Sequence, residues 1–357
     1  MLKTSQITGH VHIDRLKIVL PFLHQKIGKD TWEFTSGETG EIWQAANSQS
    51  GSLDYYESTY YLHSKHVQPC GTAMELEVDV CPPKLLGRHN CFGHGNLVRY
   101  VNQVMDKLLS EAKHLQGIKP SKEDRARWQR GDFKVLGVHL TANFGCPRER
   151  VHPIIRALDV HNDVGKQKNY STSLGLGYAG KKRSQLRTLT VYDKWVERSE
   201  EWRIPGPTRK KILDAISDSI RAEVKLYSAR LKQLNLDVGS RWQAQDVDGL
   251  YFEELKKFKV WVNYQPHLTI DEMSGLKDTQ RNALIAWQHG TPYQKLFDVR
   301  QTGAKHAKAI LDLTGIDIQS AKRPKPLDQI STMELFTPQN IIPVPEWLKN
   351  SDFFVGE

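Results

Sequence analysis

RTLTVYDKWVE, residues Arg187 to Glu197, decides how the rest of the chain is read. Leu189 and Val191 alternate with Thr190, Tyr192 and Lys194, which is the period of two of a half-buried strand. On such a strand Tyr192 and Lys194 point the same way. A phenol beside an ammonium, just downstream of the basic run Lys181, Lys182 and Arg183, suits a tyrosine nucleophile aimed at a phosphate. The plainer reading of the same spacing is an edge strand whose Tyr and Lys face water.

Other segments share this design. DRLKIVLPF, from Asp14 to Phe22, places Leu16, Ile18 and Leu20 on one face. Between Met74 and Val80 the apolar residues oppose Glu75, Glu77 and Asp79, acids on one strand face that are candidate metal ligands. KVLGVHLTANF, from Lys134 to Phe144, sets Val138, Leu140 and Ala142 against His139, Thr141 and Asn143. RAEVKLY, from Arg221 to Tyr227, sets Ala222, Val224 and Leu226 against Arg221, Glu223 and Lys225. Helical spacing appears at Leu97, Val101, Val104 and Leu108, from Arg148 to about Leu158, and from Pro207 to Ser219.

These patterns predict an α+β fold, with an antiparallel central sheet, helices packed on one face and an active surface on the other. A half-solvated sheet with ordinary polar outer residues fits the same alternation. This domain would occupy residues 1–238. Beyond about Gly239 a smaller, mainly helical domain, 239–357, is expected, with helices over Leu250–Val260, Thr279–His289 and Gly303–Leu313. The last two read either as a helix-turn-helix unit exposing Lys305, His306 and Lys308 or as an ordinary helical hairpin. Pro324, Pro326, Pro338, Pro343 and Pro345 mark a tail that wraps the surface or stays mobile.

Composition narrows the partner. The 357 residues are 39% hydrophobic and 25% charged, ordinary for a soluble globular protein, yet the net charge is +9. A sequence pI near 9.2 favours a polyanion, either nucleic acid or an anionic membrane. No apolar run approaches the ~18 residues of a membrane span, and MLKTSQITGHVHID has no signal-type apolar core, so a cytoplasmic protein is expected. Cys70, Cys81, Cys91 and Cys146 form no C-x-x-C pair and read as reduced, partly buried thiols. A zinc site from Cys81, Cys91 and His89 or His94 has the wrong spacing for common zinc ribbons.

Several segments together resemble the gene II replication initiation proteins of filamentous phages, a branch of the HUH endonucleases. HIDRLKIVLPF is similar to their first strand, and ELEVDVCPPKLLGRHNCFG to their acidic strand and Gly-His-Asn-x-Phe-Gly loop, with Arg88 where the family usually has the first Gly. RTLTVYDKWVE resembles the segment holding the nucleophilic tyrosine, and RAEVKLYSARLKQLNL the strand and helix after it. AKHAKAILDLTGIDI is similar to the last helix.

The resemblance implies rolling-circle replication initiation. Such a protein nicks one strand of double-stranded phage replicative-form DNA at the origin, stays joined to the new 5′ end, and recloses the displaced single strand. Tyr192 would be the nucleophile, Lys194 would supply positive charge, and Mg²⁺ or Mn²⁺ would be held by His139, Glu77 and Glu223. The literal His-hydrophobe-His pattern, His10, Val11, His12, is the alternative metal pair, and Asp14 either orients a ligand or ends the first strand. Lys84, His89 and Asn90 either contact DNA or stabilise their loop, whereas Lys181, Lys182, Arg183 and Arg187 would bind backbone phosphates. Tyr227, a conceivable second nucleophile, reads as a surface residue. Expected partners are double- and single-stranded origin DNA with the host helicase, single-strand-binding protein and DNA polymerase, in the cytoplasm of a bacterium. A non-catalytic DNA-binding regulator is the rival reading, and a plasmid initiator or relaxase would share the chemistry.

Overall fold

The first long strand, β1 (His12–Gln25), lies in the middle of the sheet rather than at its edge. The computed structural model describes residues 9–356 apart from 29–30, 36–41, 47–48, 54–58, 162–165, 171, 180–181, 184–185, 197–201, 262, 265–269, 272, 290, 315 and 320–329. After β1 come β2 (Thr31–Thr35), β3 (Ile42–Ala46), β4 (Gln49–Ser52), β5 (Thr59–Val67) and β6 (Thr72–Val80). Then follow β7 (Lys134–Gly145), β8 (Lys166–Tyr170), β9 (Ser173–Leu176), the short β10 (Tyr178–Ala179) and β11 (Lys182–Arg183), β12 (Arg187–Tyr192) and β13 (Ser219–Tyr227).

Eleven strands form one sheet in the order β2-β3-β5-β6-β1-β7-β13-β12-β9-β8, with β4 also paired to β5. Its pairings are antiparallel throughout. The stretch before Arg187 thus contributes β8 and β9 to the sheet.

Ten α-helices accompany the strands. They are α1 (Pro82–Gly87), α2 (Leu97–Glu111), α3 (Lys122–Arg130), α4 (Arg148–His161) and α5 (Gly206–Ile216), then α6 (Ser228–Gln233), α7 (Val247–Leu255), α8 (Asp278–Gln288), α9 (Arg300–Thr314) and α10 (Glu346–Lys349), counted among the described residues. In α2 the buried residues Leu97, Val101, Val104, Met105 and Leu108 form the stripe that 3.6-residue spacing demands. Asn96 caps this helix, its side chain accepting from the Arg99 amide at 3.0 Å.

The apolar strand faces, with Leu16, Ile18, Val138, Leu140, Val191 and Val224, join α2, α4 and α7 in one core. Segment 239–357 serves two places. Its α7 and Leu335, Phe336 and Ile341 belong to the sheet's core, whereas α8 and α9 bury Leu284, Trp287 and Ile310 in a cluster of their own. On α9, Lys305 and Lys308 are exposed, and His306 stacks on Phe297 with ring centroids 5.4 Å apart.

A third apolar cluster positions the site. Cys91 and Phe92 after β6, Trp202 and Ile204, Ile212 and Ile216 of α5, and Leu348 near the C-terminus pack together. They lie over the polar strand face. The tail is tied down there, with the Ile342 amide donating to the Asn143 carbonyl at 2.8 Å and Asn340 Nδ2 to the Gly145 carbonyl at 2.9 Å.

Candidate active site

Antiparallel register aligns the polar faces of four strands. Tyr192 on β12 lies opposite Arg221 on β13, which lies opposite Asn143 on β7. One step along, Thr190 faces Glu223, Glu223 faces Thr141, and Thr141 faces His12 on β1. One further step sets Lys225 across from His139, and His139 across from Arg15. Alternation thus places His139, Arg221, Glu223 and Tyr192 on one surface.

Asp14 reaches this surface through an irregularity. Ile13 pairs with Leu140 and Arg15 with His139, so β1 spends one more residue than β7 between the two pairs. Asp14 is that extra residue. Such a bulge re-aims a side chain that strict alternation would send to the opposite face. As a result one donor atom each from Asp14, His139 and Glu223 lies within 4.8 Å of the others.

Hydrogen bonds lock these groups. Glu223 Oε1 holds His139 Nδ1 at 2.9 Å and Lys225 Nζ at 3.3 Å, and the Tyr192 hydroxyl lies 3.5 Å from Glu223 Oε2. Asp14 Oδ1 accepts from Asn90 Nδ2 at 2.8 Å and from Arg221 Nη2 at 3.0 Å. Asn90 turns its other amide atom, Oδ1, to Lys194 Nζ at 2.7 Å. Arg221, wholly buried, also donates through Nη1 to the Asn90 carbonyl at 2.5 Å. Its guanidinium carbon stands 5.9 Å from the Tyr192 ring centroid.

The electrostatics follow from burial set against these charges. Burial pushes the Tyr192 phenol well above its ordinary range, with Arg221 opposing that rise. For Glu223 burial acts upward too, but the hydrogen bond from His139 and the charges of Lys225 and Arg221 outweigh it, and the carboxyl sits far below its usual range. Burial, reinforced by Arg221, draws the Lys194 ammonium down to about 7. Arg221 is held protonated by Tyr192, Asp14 and Glu223 against the pull of burial.

Some expected site residues do not gather here. Glu77 pairs with Val19 and His63, several residues along the sheet from Asp14. Its carboxylate is taken by Lys65 and by Lys17 at 2.9 Å. Glu75 likewise meets Lys134 at 3.1 Å, and Asp79 meets Arg15 at 2.7 Å. The acidic face of β6 is therefore an ion-pair ladder, and Asp14 takes the place expected of Glu77 beside His139 and Glu223.

Lys194 is not on the strand with Tyr192. It opens a short 3-10 turn over Lys194–Val196, and burial rather than alternation aims it at Asn90. His10 is exposed and bonded to Asp248 at 3.1 Å. His12 is buried beside the Asn90 loop, held low by burial and by Arg221, with its Nε2 unpartnered.

His89 and Asn90 are buried loop-holding groups rather than surface DNA contacts. His89 Nδ1 accepts from the Cys91 amide at 3.1 Å and Nε2 donates to the Phe353 carbonyl at 2.9 Å. Lys84 is half-buried in α1. Arg187 is committed to buried Glu254 at 2.8 Å, which it shares with Arg230, so its charge is spent inside the fold. Lys181 lies outside the described residues, as do the side chains of Lys182 and Arg183. Tyr227 bonds Thr188 at 2.9 Å, across from Gly137 and away from Glu223. Cys81, Cys91 and Cys146 are free and buried, and Cys70 is free and exposed.

The residues missed from the sequence are Asp14 as a cluster member and Arg221. The signal for Arg221 was present, since it shares a strand face with Glu223 two residues on.

A family model described as the N-terminal part of the gene II replication-associated protein matches residues 12–245, from the first residue of β1 past β13. The chain belongs to this family. No curated protein matches the chain. The matched span contains Asp14, Asn90, His139, Tyr192, Lys194, Arg221 and Glu223, whereas the tail that contacts His89 through Phe353 lies beyond it. Among the described residues no helix is long and apolar enough to cross a membrane.

Two carboxylates and one imidazole within 4.8 Å of each other, with the Glu223 carboxyl kept ionised, fit Mg²⁺ or Mn²⁺ better than zinc.

Proposed function

We propose that this replication protein is the nicking and joining enzyme of phage rolling-circle replication, with Tyr192 as nucleophile. The observation that carries the reading is the Tyr192 hydroxyl beside Glu223, in a side-chain cluster that also holds His139, Asp14 and Arg221. Tyr192 attacks the scissile phosphorus, the 3′ oxygen leaves, and a 5′-phosphotyrosyl ester conserves the bond for later rejoining without ATP.

Asp14, His139 and Glu223 would hold Mg²⁺ or Mn²⁺, which polarises the phosphate when bound. Glu223 Oε2 orients the phenol, whose proton passes to the departing 3′ oxygen, and Arg221 opposes the rise that burial imposes on the phenol. Lys194, anchored through Asn90 to Asp14, contributes positive charge near the oxygens that gain electrons. The duplex origin is the substrate, the displaced single strand is the second substrate, and host helicase, single-strand-binding protein and polymerase act around them.

The test is incubation of supercoiled replicative-form DNA with wild type or Tyr192→Phe and Mg²⁺ or Mn²⁺. Relaxed DNA bound covalently to wild type alone supports the reading. Equal nicking by the variant rejects Tyr192, and no nicking by either protein favours a DNA-binding regulator.

A further inference from the structure

Immediately after Tyr192 the chain divides its side chains between two environments. Lys194 is fully buried against Asn90, while Trp195 is 44% exposed. Trp128, Trp202, Trp242 and Trp287 are all buried, and the other exposed indole among the described residues, Trp347 at 38%, lies near the C-terminus rather than beside Tyr192 in the chain.

Trp195 is nevertheless held firmly. Its amide donates to Asp193 Oδ1 at 3.1 Å, and the guanidinium carbon of Arg148 lies 4.7 Å over its ring. Asp193, itself buried, receives both terminal nitrogens of Arg148 and accepts from His152 Nε2 at 2.8 Å. The Arg148 amide is fixed in turn by Asp218 Oδ1 at 3.0 Å. One buried carboxylate therefore fastens an exposed aromatic ring, a planar cation and the turn that follows the nucleophile. Little side-chain entropy remains to be lost on binding.

We infer that Trp195, with Arg148 over it, is a stacking platform for a base of the DNA strand passing Tyr192. Trp195 is three residue steps along the chain from Tyr192, a reach of at most about 11 Å, so the base is within a few nucleotides of the scissile phosphate. Every base has a π-face, so a pre-fastened indole serves any sequence, and the guanidinium adds a cation–π term. The planar Arg148 guanidinium already lying over the ring, on a chain of net charge +9, favours a nucleobase of a polyanion over an apolar peptide. The position relative to the scissile phosphate rests on the proposed nicking reading, whereas the stacking itself does not.

Two probes separate these dependencies. The first is a twelve-nucleotide oligothymidylate, bound in fluorescence titrations at fixed salt. Trp195→Ala should weaken binding about 5- to 100-fold, and Trp195→Phe should recover most of it. Binding by Trp195→Ala within about twofold of wild type would overturn the platform, whether or not DNA is nicked. The second probe is a single-stranded oligonucleotide spanning the nick mapped with wild type, carrying one abasic residue at successive positions and bound by Tyr192→Phe protein. One position within a few nucleotides of the nick should cost Tyr192→Phe about as much as Trp195→Ala costs, and should cost nothing further in the double variant. An abasic effect that persists unchanged in the double variant would contradict the placement. If wild type nicks nothing, the enzymatic reading fails alone and the oligothymidylate result still decides the platform.

Discussion

The Tyr192 hydroxyl lies 3.5 Å from Glu223 Oε2, and the other oxygen of that carboxylate holds His139 Nδ1 at 2.9 Å. A single side chain on β13 thus connects the proposed nucleophile to the proposed cation ligands. Because Tyr192 ends β12 directly across from Arg221, two residues before Glu223 on the neighbouring strand, antiparallel register alone brings the phenol to both.

Cation binding separates Asp14 from Glu77. Asp14→Asn and Glu223→Gln should each lower Mn²⁺ affinity by at least about tenfold in calorimetric or paramagnetic titration. Glu77→Gln should leave it unchanged, since that carboxylate serves Lys17 and Lys65.

Arg221 should matter to stability. Arg221→Met leaves Asp14 beneath the site without its cation and the Asn90 carbonyl without its donor. Breaking a buried pair from one side costs about 3–5 kcal/mol, to be read from urea denaturation. Arg221→Lys should cost less because it keeps the charge.

Strand faces were legible in the sequence because burial on one side imposes a period of two on β1, β7, β12 and β13. That alternation put His139, Glu223 and Tyr192 on a common surface. It misplaced Asp14, which shares parity with Leu16 and Ile18 and by strict alternation would join the apolar face. The bulge between Ile13 and Arg15 reverses that parity, and nothing local in HIDRLKIV announces it. Glu77 shows the complementary limit, since alternation fixes a face but not how far along its neighbour a strand pairs. Arg187 looked like a phosphate ligand because its partner, Glu254, comes from a distant helix. The apolar roof was equally hidden, being assembled from segments near residues 91, 202, 212 and 348.

The roof carries its own prediction. Deleting residues 351–357 removes the Phe353 carbonyl and leaves the buried Nε2–H of His89 without its acceptor, a loss of about 1–3 kcal/mol. The melting temperature should fall and nicking should slow. Mn²⁺ affinity should fall less than in Asp14→Asn, because the three donor residues lie on β1, β7 and β13 rather than on the tail.

Lys194 gives a pH signature. Its ammonium titrates near 7 in the fold, against an ordinary value of 10.5, with burial as the main cause. Between those values the unfolded chain binds a proton that the folded one does not, so this residue makes stability rise with pH across that window. Below about 7 both states are protonated and its contribution is flat. Denaturation midpoints of wild type should therefore climb between pH 7 and 10 relative to Lys194→Met, and parallel curves would refute the buried placement.

The most direct measurement isolates the covalent complex formed on supercoiled replicative-form DNA with Mn²⁺, digests protein and DNA, and locates the nucleotide-linked peptide by mass spectrometry. The nucleotide is expected on Tyr192, within the peptide that includes TLTVYDK, and no linked peptide is expected from Tyr192→Phe. Attachment to Tyr227 or to any other residue would contradict the account.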